Sequence, residues 1–132
     1  LAREAGGVRL LNRYIADDEV EALFRAADVT VLPYRSGTQS GVTHVAYALG
    51  SPVIATDVGG ITETVHEGQT GLTCAPEDPE ALARTIVRFF AEGLRERMAA
   101  PIAALKAEHS WEALADSTMS LIDELKPARG WA

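Results

Sequence analysis

Hydrophobic and polar positions along this chain follow two rhythms: short runs that are apolar throughout, and longer stretches with an apolar residue every three or four. The first run, "VRLLNRYI" at residues 8–15, predicts a strand. The acidic cluster Asp17, Asp18 and Glu19 behind it favours a helix N-terminus, where the helix dipole stabilises negative charge. In the helix so predicted, Val20, Leu23, Phe24 and Ala27 share one face. "VTVLPY", residues 29–34, is β-branched, apolar and stopped by Pro33, the pattern of a strand buried on both sides.

A loop of small and hydroxyl-bearing residues, "RSGTQSG", leads into a helix over about residues 41–49, closed by Gly50. "SPVIATD" predicts the next buried strand, with Pro52 at its first position, where a missing N–H is tolerated. After the turn "VGG" come a short helical piece, "ITETVHEG", and a strand in "TGLTCA". "PEDPEALARTIVRFFAEG" reads as a longer helix with Asp78 as N-cap, Pro79 in the first turn, and Leu82, Ile86, Phe89 and Phe90 as its apolar face. Two more helical stretches follow, "LRERMAAPIAALKAEH", with a kink expected at Pro101, and "SWEALADSTMSLIDELK", while the tail "PARGWA" is expected to be loose. Trp111 and the stripe at residues 121–125 read as helix packing, Cys74 as a small core residue, and "RERM" as a solvated face.

Strands alternating with helices, and apolar throughout, predict an α/β fold of three layers, a parallel sheet with helices on both faces. Four strands are visible, against the five or six of a doubly wound sheet. The domain is therefore expected to be incomplete at its N-terminal end, and a first residue Leu1 in place of Met points to a fragment or processed product.

Composition narrows the function classes. The 132 residues are about one domain, and 47% hydrophobic residues suffice for a packed core. A net charge of -7, from 19 acidic and 12 basic residues, offers no overall attraction to nucleic acid or anionic lipid. The single Cys74 excludes an intramolecular disulfide framework and fits a reducing compartment. No apolar run nears the roughly 20 residues of a membrane span, and "LAREAGG" lacks a signal-peptide core. The cytoplasm, including the inner face of a membrane, is the expected location, with no transmembrane segment and no nucleic-acid partner. No cluster has metal-ligand spacing, so no metal is expected.

In an open parallel sheet, ligands bind beyond the carboxyl ends of the strands. Two loops there have the required character, "RSGTQSG" and "DVGG". In the first, Gly37 and Gly41 allow close backbone approach, while Ser36, Thr38, Gln39 and Ser40 offer side-chain hydrogen bonds. The N–H groups of Gly41, Val42 and Thr43 fall at a helix start, a place that attracts phosphate, and Arg35 adds a cation. The alternative is a Ser or Thr N-cap with turn glycines and no ligand at all. The spacing is neither Gly-x-Gly-x-x-Gly nor the P-loop pattern, so neither dinucleotide nor P-loop chemistry is supported. His44, four residues after Ser40, could form a nucleophile and base pair with it, but no third group orients the histidine. His66 and His109 stand isolated in the sequence. Glu63, directly after "GGIT", either faces a ligand or is a solvated helix residue.

The serial order of "ADVTVLPYRSGTQSG", "ALGSPVIATDVGG", Glu63, "GQTGL" and "PEDPEALA" resembles the C-terminal domain of group 1 retaining glycosyltransferases, enzymes of the GT-B type built from two Rossmann-like domains. The likeness covers about residues 8–125. It implies a Rossmann-like donor-binding domain over residues 1–126, partial, with a tail at 127–132. It implies transfer of a sugar from a nucleoside-diphosphate sugar to an acceptor, with retention of anomeric configuration. The partner it implies is an N-terminal acceptor-binding domain of the same parent protein, and the donor is a substrate, so no separate cofactor is expected. The diphosphate and sugar fall to residues 37–42, with Ser36, Arg35 and Glu63 nearby, and the base to Arg13, Tyr14 and Ile15.

Many members of that family carry two glutamates separated by seven residues, one facing the donor sugar and one near the ribose. Here Gly37, Thr38 and Gln39 surround the first position and Val45 occupies the second. No catalytic residue is named by this reading, and without the acceptor domain and the family's early basic pair the chain alone is expected not to turn over. The alternative from another class is a non-catalytic glycosyltransferase-like interaction module. A related sugar-nucleotide epimerase would need carboxylates and histidines that the chain does not place.

Overall fold

A computed structural model describes residues 6–129. Its first helix, α1 (Asp17–Ala26), carries the expected acidic first turn. Glu19 accepts a hydrogen bond from the Ala16 N–H at 3.4 Å, covering one of the donors a helix start leaves open. The parallel sheet that follows has three strands, β1 (Thr30–Leu32), β2 (Val53–Thr56) and β3 (Gly71–Cys74), in the order β1-β2-β3. Val53 pairs with Thr30 on one side and Gly71 on the other; Ala55 pairs with Leu32 and Thr73.

All four residues of β2 are buried. Because successive side chains point to opposite faces, that pattern requires cover on both sides of the sheet. Two crossover helices, α2 (Gly41–Ala48) between β1 and β2 and α3 (Ile61–Thr64) between β2 and β3, are followed after β3 by α4 (Pro79–Ala91), α5 (Leu94–Glu108) and α6 (Trp111–Arg129). α4 packs on β3 and β2, α3 on β2, and α5 lies against both α2 and α4. The core joins Ile54 and Leu72 of the sheet to Tyr47, Ile61, Phe89, Met98 and Ile102 of the helices.

Local signals explain the helix starts. Asp78 caps α4 by accepting from the Ala81 N–H at 2.8 Å, with Pro79 in the first turn. α5 runs through Pro101 from Leu94 to Glu108 as one element.

Several expectations need correction. Residues 8–15 form no strand. Among the described residues, β1 and β3, the two edges of the sheet, pair with no strand other than β2, and Val8, Leu10 and Tyr14 stay exposed. An apolar run without a neighbouring strand has nothing to satisfy its backbone, so three strands are described where four were expected. Phe90 does not join the apolar face of α4; it is 56% exposed and meets the buried Phe89 edge-on at 5.2 Å. Met98, read within a solvated charge run, is fully buried, while Arg95 of the same run pairs with Asp28. Trp111, Leu121, Ile122 and Leu125 are exposed, because α6 extends beyond the core that its apolar pattern suggested it would cover. Cys74 is only half-buried, at the end of an edge strand. α6 continues to Arg129, three residues into the supposed loose tail; residues 130–132 lie outside the described part, as do residues 1–5.

Candidate functional site

β1 and β2 end side by side, so the loops that leave them meet at the carboxyl edge of the sheet. Thr56, the last residue of β2, donates its hydroxyl hydrogen to the Tyr34 carbonyl at 2.6 Å and so fixes the chain as it leaves β1. Beyond Tyr34 the loop runs to Ser40, which holds an extended backbone at φ -128° and ψ 113° in the N-cap position of α2.

The second loop supports the first from below. The Gly60 N–H donates to the Thr38 carbonyl at 2.9 Å. A Cβ on Gly60 would sit 2.4 Å from that same oxygen, and one on Gly59 would sit 1.8 Å from the Gly37 carbonyl oxygen. Gly59 also has φ +52°, a left-handed conformation that glycine adopts without a side-chain clash. The glycine pair after β2 is thus the seat of the loop after β1.

Ser40 occupies the N-cap position but does not cap. Its side chain makes no hydrogen bond to the helix N–H groups; it is buried, and shares a 3.2 Å hydrogen bond with the Tyr34 hydroxyl. Only Thr43 among the first amides reaches back to the Ser40 carbonyl, at 3.1 Å. The Gly41 and Val42 N–H groups therefore have neither a side-chain cap nor an intrahelical acceptor at this helix start. A Cβ on Gly41 would meet nothing within 4 Å, so the space beside this helix start is open.

That space is a cavity of about 660 Å³. The loop contributes Tyr34, Ser36, Gly37, Gln39, Ser40 and Gly41, α2 contributes Val42 and Val45, and α1 contributes Val20 and Phe24. Seven of the residues singled out from the sequence thus share one concavity: Ser36, Gly37, Gln39, Ser40, Gly41, Val42 and Val45. The remaining six lie elsewhere. Thr38 presents its carbonyl to Gly60 and does not line the cavity. Arg35 is exposed, its Nε 3.9 Å from a Glu77 carboxylate oxygen.

Arg13 is engaged by Glu19 through two contacts of 2.6 and 2.7 Å, which with the Ala16 N–H hold the Glu19 carboxyl down to about 2. Tyr14 is exposed and Ile15 half-buried, and neither lines the cavity. Glu63 is exposed and belongs to a second concavity of about 840 Å³, between α2, α3 and the α5–α6 junction, which also gathers all three histidines, His44, His66 and His109. Among the described residues, no group of three or more His, Cys, Asp or Glu is arranged to hold a metal ion. Sequence reading passed over Val20, Phe24 and Tyr34 as site residues. The signal was present, since Val20 and Phe24 stand four apart on the apolar face of α1, but that spacing is the same for core packing.

Fold and loop geometry together define an α/β domain with a concavity at the start of α2, lined by the polar loop on one side and by apolar side chains of α1 and α2 on the others. Comparison with known proteins then gives the family. Residues 1–92 match the family described as "Glycosyl transferases group 1", and the chain belongs to it. A D-inositol 3-phosphate glycosyltransferase of Streptomyces griseus is 37% identical over 105 residues, covering 79% of this chain and 22% of that protein. The enzyme of the same name from Corynebacterium jeikeium is 33% identical, covering 97% of this chain and 31% of that protein. Among solved structures, the sucrose-phosphate synthase of Thermosynechococcus elongatus superposes with a TM-score of 0.68 at 32% identity, over 92% of this chain and 31% of that one. The chain thus spans between a fifth and a third of the length of these relatives. Among the described residues, no helix is long and apolar enough to cross a membrane.

Proposed function

We propose that this domain binds the nucleoside-diphosphate sugar of a retaining glycosyltransferase, with the diphosphate at the start of α2. The observation that carries the reading is the diversion of Ser40 to Tyr34, which leaves the first amides of a helix uncapped in front of an open cavity. Backbone N–H groups at a helix start, aided by the helix dipole, are a ready anion site. Gly41 lets a phosphate reach them, and Ser36 and Gln39 stand on the same rim for the sugar. Arg35 does not line the cavity but precedes Ser36, which does, and its guanidinium is only loosely held by Glu77, so it would serve the diphosphate only by turning toward it. The sugar acceptor and its domain belong to the rest of the parent protein, which this reading requires for turnover.

A second reading, a glycosyltransferase-like module that binds a partner protein and no donor, draws support from one observation: among the described residues, no carboxylate lines the cavity. Thermal-shift screening of the full-length protein with UDP-, GDP- and ADP-sugars separates the two. Donor binding predicts a concentration-dependent rise in melting temperature with at least one base. No shift with any of them leaves the module.

A further inference from the structure

Tyr34 is fixed at both ends of its backbone. Its N–H donates to the Leu32 carbonyl at 3.0 Å, and its own carbonyl accepts from the Thr56 hydroxyl at 2.6 Å, so the side chain leaves a set point just past β1. The ring packs against the core, and the hydroxyl at its far end shares the 3.2 Å hydrogen bond with Ser40. Ser40 is 7% exposed, and its backbone stands in the N-cap position of α2. A serine in that position ordinarily accepts a hydrogen bond from the second or third amide of its helix, here Val42 or Thr43. One hydroxyl thus has two places to go, and the Tyr34 hydroxyl decides between them.

We infer that Tyr34 is a positioning residue for the anion site: by holding the Ser40 hydroxyl it keeps Ser40 from capping α2, so that the amides there stay free for phosphate. This rests on the donor reading above. Ser40 and phosphate compete for the same donors. A serine cap favours the closed helix start by about fivefold, and the apparent affinity of any ligand falls with the fraction of molecules left open. Tyr34 offsets that preference by giving Ser40 a partner in a buried place, where an unpaired hydroxyl is unfavourable. Phenylalanine at position 34 keeps the ring and its packing but offers no partner, and the stranded hydroxyl then turns to the helix.

The test is calorimetric titration of the full-length protein with UDP, GDP and ADP, comparing the native sequence with Tyr34→Phe. The diphosphate that binds the native protein should bind the variant about fivefold more weakly. In a Ser40→Ala background the same Tyr34→Phe change should cost less than about twofold, because no hydroxyl is left to cap the helix. Amide hydrogen exchange at the start of α2 should slow in Tyr34→Phe relative to the native protein and not in the double variant, an effect that simple loss of packing does not produce. Unchanged affinity in Tyr34→Phe, an equal loss with and without Ser40, or unslowed exchange overturns the role of Tyr34 while leaving donor binding intact. No binding of any of the three by the native protein overturns both.

Discussion

The Gly60 N–H and the Thr38 carbonyl oxygen meet at 2.9 Å, joining the loop after β2 to the loop after β1. This bond, with the absence of a side chain on Gly59 and Gly60, lets one loop rest directly on the backbone of the other. Gly59→Ala would drive a methyl group into the Gly37 carbonyl and strain a positive φ as well. We expect a loss of about 2 kcal/mol or more in chemical denaturation, above the usual cost of a surface substitution. Gly41→Ala, with open space around its Cβ, should change stability by less than about 1 kcal/mol.

Phe89 and Phe90 are neighbours on α4 with opposite fates, one 1% and the other 56% exposed. Phe89→Ala should cost about 3 to 5 kcal/mol, the transfer and cavity cost of a buried ring. Phe90→Ala removes only an edge contact and a half-wet surface, so its cost should stay near 1 kcal/mol. Equal effects in urea melts would contradict the packing described.

Thr43 is fully buried, and its hydroxyl has no hydrogen-bond partner among the described residues. An unpaired buried hydroxyl costs about 1 to 3 kcal/mol relative to an apolar group of the same shape. Thr43→Val should therefore raise stability by about 1 kcal/mol or more. A lower melting temperature would mean that the hydroxyl is satisfied.

Glu19 responds to acid in a defined window. Its carboxyl is held near 2 by Arg13 first and by the Ala16 N–H second, against an ordinary value of 4.5. A depressed carboxylate contributes stability that is complete above its unfolded value and is lost as pH falls through the folded one. The start of α1 should therefore loosen between about pH 4.5 and 2, read from the Glu19 carboxyl shift in an NMR titration. Because both partners are exposed, high salt should move the midpoint back toward the ordinary value.

Much of the fold was legible in the sequence because its signals are local. The acidic turn before Val20, Asp78 ahead of Pro79, and the continuous apolar run of β2 each name an element without reference to the rest of the chain. What failed were inferences about neighbours. "VRLLNRYI" looks like a strand, yet a strand exists only with a partner, and hydrophobicity does not name one. Phe90, Trp111 and the α6 stripe carry helical spacing, but spacing cannot say which faces find a core to cover.

The site divides the same way. The loop from Ser36 to Val42 was marked by its glycines and hydroxyls, and the fold gathers most of it around one cavity. The roles of Tyr34 and Thr56 were not legible. They depend on a hydroxyl of one residue reaching an atom 6 positions away in one case and 22 in the other. Nor could the sequence place Glu63 apart from the loop, in the concavity with the three histidines, since that follows from how α3 sits beside α2.

Donor binding requires that an anion reach the uncapped start of α2. Calorimetric titration of the full-length protein with nucleoside diphosphate, comparing the native sequence with Gly41→Val, tests this most directly. A Cβ at this position would meet nothing within 4 Å, and the branched side chain is expected to crowd the approach to the helix start. Anion binding at this helix start predicts an affinity loss of more than about tenfold, or about 1.4 kcal/mol, with the melting temperature little changed. Unchanged affinity in the variant would contradict it.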